Sequence, residues 1–202
     1  MADSELMDDH LKYWAGLIEG RGHAGAFARK TDEDLAIVEC QTANEWCKSV
    51  ADKYGLMVDR VIRGPAFNLP PDCYAELDGR RISLELTEWV DGDFIRSNRD
   101  AESQALLPSA YHGDGFVRSQ WNETRLRREL AKRLKSKDEK YQRGSTIDVL
   151  IIYTGEPWLD PYKVERWLAG PFFEQCKSIR SAYLLMTYRP GYSDNWPVYR
   201  LY

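Results

Sequence analysis

Apolar residues recur along this chain with two different periods, and the switches between them mark out the elements. From Thr31 to Gly55, Leu35, Val38, Ala43, Trp46 and Val50 fall at helical spacing, which predicts an amphipathic helix. Thr31 and Asp34 offer short polar side chains to the free N–H groups of its first turn, and Gly55 stops it. The pattern then turns strand-like over Leu56–Ile62, Cys73–Leu77 and Arg81–Trp89. Asp78-Gly79 between the last two favours a two-residue type I′ turn, and Gly64-Pro65 and Pro70-Pro71 punctuate the link before them. Helical spacing returns from Trp121 to Tyr141, where Leu126, Leu130, Leu134 and Tyr141 form an apolar stripe. Asp148–Thr154 and Ala182–Tyr188 are nearly unbroken apolar runs, as expected of strands buried on both faces. Between them, Val164, Trp167, Leu168, Phe172 and Phe173 predict a helix over Pro161–Lys177. A strand, helix, strand order of that length implies a right-handed crossover between parallel strands. Val198–Tyr202 reads as a short edge strand.

The order from Thr31 is thus α, β, β, β, α, β, then α, β. It predicts an α/β fold with a mixed sheet and helices on its faces. At 202 residues the chain is expected to form one domain over 1–202, with a core at 31–154 and an added helix and strand in 155–202. Residues 1–30 carry little pattern beyond a short amphipathic piece, Leu11 to Ile18. Residues 91–119 form a long irregular stretch, of a length that usually means function or mobility.

Composition narrows the class. The hydrophobic fraction of 43% and charged fraction of 30% suit a folded protein, and no apolar run is long enough to cross a bilayer. The acidic start MADSELMDDH lacks the basic flank and apolar stretch of a signal peptide. Cys40, Cys47, Cys73 and Cys176 show no metal-binding spacing and read as reduced, mostly buried thiols. A soluble cytoplasmic protein without a membrane partner is the expectation. The three histidines leave imidazole catalysis few carriers, and no Ser/His/Asp constellation or phosphate-binding Gly loop occurs.

The densest chemistry lies on the hairpin. A turn at Asp78-Gly79 pairs Leu77 with Arg80, which sets Glu76 opposite Arg81, Tyr74 opposite Ser83 and Asp72 opposite Glu85. Ala75, Cys73, Leu84 and Leu86 point to the other face as core. Carboxylates directly across neighbouring strands lie roughly 5 Å apart at Cβ and repel. A divalent cation with hard oxygen ligands relieves that repulsion.

Pro71-Asp72 followed by Glu85-Leu86-Thr87 resembles the PD-(D/E)xK motif of the restriction-endonuclease-like nuclease superfamily, and the αβββαβ order resembles its core. The resemblance implies a metal-dependent nuclease hydrolysing phosphodiester bonds of DNA or RNA. Asp72 and Glu85 map onto the ligands of Mg²⁺ or Mn²⁺, with Glu39 or Glu45 on the first helix as an auxiliary ligand. Thr87 stands where the family has its lysine, and Thr supplies no positive charge. Lys137 is the candidate for a migrated basic residue, because it falls on the stripe of Leu126, Leu130, Leu134 and Tyr141. There it either pairs with a carboxylate such as Asp72 or Glu85, or snorkels at the stripe's edge. The missing lysine keeps open an inactive nuclease-fold module with an interaction or inhibitory role.

Net charge is −4, yet nine Arg and Lys against four Asp and Glu crowd the segment from Glu123 to Arg143. Arg125, Arg128, Lys132 and Lys135 are the candidate phosphate contacts of that helix, whose alternative is a solvated basic face. Asp91-Gly-Asp93 and His112-Gly-Asp114 are read as turns of the long loop. A homodimer is compatible with all of this.

Overall fold

Asp78 and Gly79 both adopt left-handed backbone angles, φ 51° and 74°. A type I′ turn needs that geometry at both central residues, and glycine adopts it without a Cβ penalty. The turn joins β2 (Cys73–Leu77) to β3 (Arg80–Glu88). Pairing runs without slippage from Leu77 opposite Arg80 to Cys73 opposite Leu84, the register that the turn predicts.

The computed structural model describes residues 32–65, 69–90, 121–141, 144, 146–156, 158–187 and 191–202. The Thr31 cap, the Leu11–Ile18 piece, the 91–119 loop with both Asp/Gly turns, and Tyr188 lie outside them. The hairpin is flanked by α1 (Asp32–Tyr54), β1 (Val58–Arg63) and α2 (Glu123–Tyr141). Then follow β4 (Ile147–Thr154), α3 (Pro161–Trp167), β5 (Ile179–Met186) and β6 (Val198–Arg200). The six strands form one mixed sheet in the order β1-β2-β3-β4-β5-β6. Pairs β1–β2, β2–β3 and β5–β6 are antiparallel, whereas β3–β4 and β4–β5 are parallel. An α/β fold with a mixed sheet is therefore what the sequence builds.

The chain divides into two compact units. The larger comprises 27–89, 122–154 and 159–202, and it holds every element named above. In the larger unit, strand alternation sorts side chains by face. Leu84, Leu86, Val149, Ile151, Tyr183 and Leu185 pack with Ala43, Trp46 and Val50 of α1 into one apolar core. Among the described residues no helix is long and apolar enough to cross a membrane.

One predicted element is corrected. The helix expected over Pro161–Lys177 ends at Trp167. Asp160 caps its start by accepting the N–H groups of Tyr162 and Lys163, with Pro161 at the first position. Gly170 then takes φ 138° and Pro171 follows. Proline cannot continue a helix, and its neighbour on the N-terminal side is pushed out of helical angles. Phe172 is consequently exposed, with the Arg127 guanidinium 3.2 Å from its ring centroid.

Gly64, just after β1, fixes where Asp72 enters β2. Its N–H donates to the Asp72 carbonyl at 2.8 Å. A Cβ at this position would lie 1.9 Å from the Pro71 carbonyl oxygen, a backbone atom with no rotamer to escape into. Gly64→Ala should cost at least about 2 kcal/mol of stability, since the backbone has to part. Urea unfolding checks this, and an unchanged midpoint at unchanged slope would show that the close approach is not structurally required.

Candidate functional site

Asp72 sits immediately before β2 and Glu85 lies in the middle of β3. The hairpin register makes them neighbours, because Cys73 is paired with Leu84 one step along. Leu84 and Leu86 belong to the core beneath α1, so the alternating Glu85 points to the opposite face, where α2 meets it. The Leu86 N–H donates to Asp72 Oδ2 at 2.7 Å, which pins that carboxylate to β3.

The stripe on α2 supplies the other half. Leu126, Leu130 and Leu134 are buried and anchor the helix. Asp138 is buried too, and its Oδ1 accepts the Ser178 N–H at 2.7 Å, tying the last turns of α2 to the start of β5. That anchoring carries Lys137 and Tyr141 onto Glu85. Lys137 Nζ lies 2.9 Å from Glu85 Oε1, and the Tyr141 hydroxyl donates to the same oxygen. Lys140 Nζ stands 4.0 Å away. Glu85 is only 3% exposed, and its second oxygen, Oε2, is buried with no hydrogen-bond partner among the described residues. Such an oxygen is costly unless something else occupies it.

The electrostatics follow from burial. Asp72 is pushed up to about 6, first by loss of water and then by the Glu85 charge, with the Leu86 N–H and the two lysines opposing. Burial, followed by the bond to Glu85, pushes the Tyr141 phenol well above its usual range, so it stays a proton donor to the carboxylate. The cleft has a volume of about 480 Å³. Its polar side carries Glu39, Arg63, Asp72, Glu85, Lys137 and Lys140, and Leu35, Pro65, Leu69 and Pro70 form its apolar side.

Asp72, Glu85, Glu39 and Lys137 thus share one cleft, and of the two alternatives for Lys137 the carboxylate pair is what forms. Glu45 does not join them. Six residues beyond Glu39, it falls on another side of α1, pairs with Lys48 at 2.7 Å and borders a separate recess beside Trp196. Arg125, Arg128, Lys132 and Lys135 lie roughly 120–180° around α2 from Lys137, by the helical repeat. Arg128 and Lys132 both pair with Glu129 at 3.2 Å, and Lys135 pairs with Glu139 at 3.9 Å. The cations of the cleft are instead Arg63, Lys137 and Lys140. Arg63 carried no signal at the end of β1, and Lys140 was one charge in a basic run. Tyr141 looked like a stripe residue only. Its place one turn beyond Lys137 was the available clue.

Among the described residues no three or more His, Cys, Asp or Glu side chains converge in a metal cage, so Glu39 lines the cleft without completing one. Two adjacent carboxylates and an unpartnered buried oxygen still fit Mg²⁺. That ion keeps several waters and commonly binds through one or two carboxylates plus substrate phosphates. Asp72 gives a pH test. Its folded form keeps a proton up to about pH 6, whereas the unfolded chain releases it near 3.8. Folding therefore takes up a proton between those values, and this group's contribution to stability falls as pH rises through the window and is constant above it. Asp72→Asn should raise the melting temperature by roughly 2–6 °C at pH 7.5 and hardly at pH 3.5. An equal shift at both pH values in thermal melts would contradict this origin.

Comparisons with models of protein families, with curated proteins and with solved structures find no match to this chain.

Proposed function

We propose that this protein is a metal-dependent nuclease of the PD-(D/E)xK kind, in which Lys137 on α2 takes the part of the motif lysine. The observation that carries the reading is the Lys137–Glu85 contact of 2.9 Å inside the cleft that also holds Asp72. A basic group stands beside the carboxylate pair although Thr87 leaves the motif position uncharged. The order α1-β1-β2-β3-α2-β4, with β4 parallel to β3, supports the likeness to the restriction-endonuclease core, and α3, β5 and β6 extend it. The four free cysteines are in keeping with a cytoplasmic place of action.

Asp72 and Glu85 would hold Mg²⁺ or Mn²⁺, with Glu85 Oε2 the oxygen that has no other partner. The ion, when bound, lowers the pKa of a water and offsets phosphate charge. The protein's own residues do the rest. Tyr141 holds the Glu85 rotamer through its hydroxyl. Lys137 keeps a positive charge beside the oxygen pair, where it steadies an attacking water or the charge developing on phosphorus. Arg63 and Lys140 line the same cleft and offer contacts to the phosphates of DNA or RNA. Catalysis here depends on local charge, so the net charge of −4 is no obstacle.

One observation favours the inactive module. Glu85 Oε1 already has both Lys137 and Tyr141 as partners, so the carboxylate is half satisfied without any metal. Two variants separate the readings. The wild type should cut DNA or RNA only with Mg²⁺ or Mn²⁺, and Glu85→Gln should reduce cleavage at least ~100-fold while keeping the fold. Lys137→Met should lose cleavage comparably yet retain the rise in melting temperature that Mg²⁺ gives. A metal-dependent melting shift without cleavage of any single- or double-stranded substrate would favour the inactive module. Absence of both the shift and the cleavage would sink the metal reading altogether.

A further inference from the structure

Two thiols meet beside the cleft. Cys40 on α1 and Cys73 at the start of β2 are 33 residues apart in the chain, yet their Sγ atoms lie 3.6 Å from each other. Both are free. A disulfide closes that separation to about 2.05 Å, a movement of side chains that already face one another. The other two cysteines have different surroundings. Cys47 is buried, and Cys176 faces the Leu134 carbonyl.

We propose that Cys40 and Cys73 are an oxidation site, converted by a peroxide into an intramolecular disulfide that ties α1 to β2. Cys40 is half-buried, whereas Cys73 is fully buried, so the peroxide meets Cys40 first. The Cys40 sulfur attacks the peroxide and its O–O bond breaks. That leaves a sulfenic acid on Cys40 and releases one water from hydrogen peroxide. The Cys73 sulfur then attacks the Cys40 sulfur. The S–S bond forms as the S–O bond breaks, and the Cys73 proton leaves with that oxygen as a second water. Two electrons pass from the thiol pair to the peroxide, and a dithiol reductant returns them. Direct contact between the sulfurs favours the bond over further oxidation of Cys40. The cross-link would bear on the cleft, because Glu39 precedes Cys40, Asp72 precedes Cys73, and both line it.

The test reads thiols alone and stands apart from any nuclease activity. The full chain is reduced, desalted, treated with hydrogen peroxide and then with N-ethylmaleimide, and its intact mass and peptides are measured. Two of the four thiols should be lost to alkylation, with one cross-linked peptide pair joining Cys40 to Cys73 and dithiothreitol restoring both. Cys40→Ala should abolish the cross-link, and Cys47→Ala should leave it intact. Oxidation of Cys40 to sulfinic acid with no cross-link, or a bond formed mainly by Cys47, Cys176 or a second chain, would overturn the proposal.

Discussion

A carboxylate removed from water in the middle of a sheet organises this protein. Glu85 sits between Leu84 and Leu86, both core residues, and is itself almost fully buried. Stripping a charged group of water costs several kcal/mol unless partners replace the lost solvation. Lys137 and Tyr141 do so at one oxygen, and no group among the described residues does so at the other. Removing a single partner from such a buried pair typically costs about 3–5 kcal/mol, because the survivor is left uncompensated. The last turns of α2 are therefore tied to β3 by charge as well as by packing. A half-satisfied buried group is a poor way to gain stability, and that cost points to a use beyond it.

The rest of the larger unit fits around this demand. Between β3 and β4, Asp148 accepts both the N–H and the hydroxyl of Ser83 at 2.9 Å and holds Arg180 of β5 at 2.6 Å. That junction fixes the register in which β3, β4 and β5 run parallel. One face of the sheet is given wholly to apolar packing under α1, which leaves the other free to carry Glu85 against α2. Gly64 completes the frame by letting the Gly64 and Pro71 backbones approach closely at the entry to β2.

Charge illustrates how geometry overrides counting. The segment holding α2 is the most basic stretch of the chain, yet its outward cations are partly spent on Glu129 and Glu139 along the same helix. Exposed pairs of that kind are weak, and they lower the field that the surface presents. The positive charge that matters to the cleft comes from three residues on two elements, Arg63 at the end of β1 and Lys137 and Lys140 on α2. Those three cations and the three carboxylates Glu39, Asp72 and Glu85, within about 480 Å³, make a mixed field.

The hairpin was legible because its information is local. Asp78-Gly79 selects the turn, the turn selects the pairing, and strict alternation then decides that Asp72 and Glu85 share a face. The stripe on α2 was legible for the same reason, and it singled out Lys137 before any fold was known. The end of α3 was misread although Gly170 and Pro171 were in plain view, since the aromatic residues beyond them kept up an apolar pattern. Glu39 and Glu45 lie on different sides of one helix, but only the placement of α1 against the sheet decides which side meets the cleft. Arg63, the anchoring of Asp138 on Ser178 and the meeting of Cys40 with Cys73 left no pattern at all. Each joins residues far apart in the chain, so local periodicity is silent about them. Turn, register and stripe are written within single segments; which charges meet depends on how the helices dock onto the sheet, because only docking sets distances between distant segments.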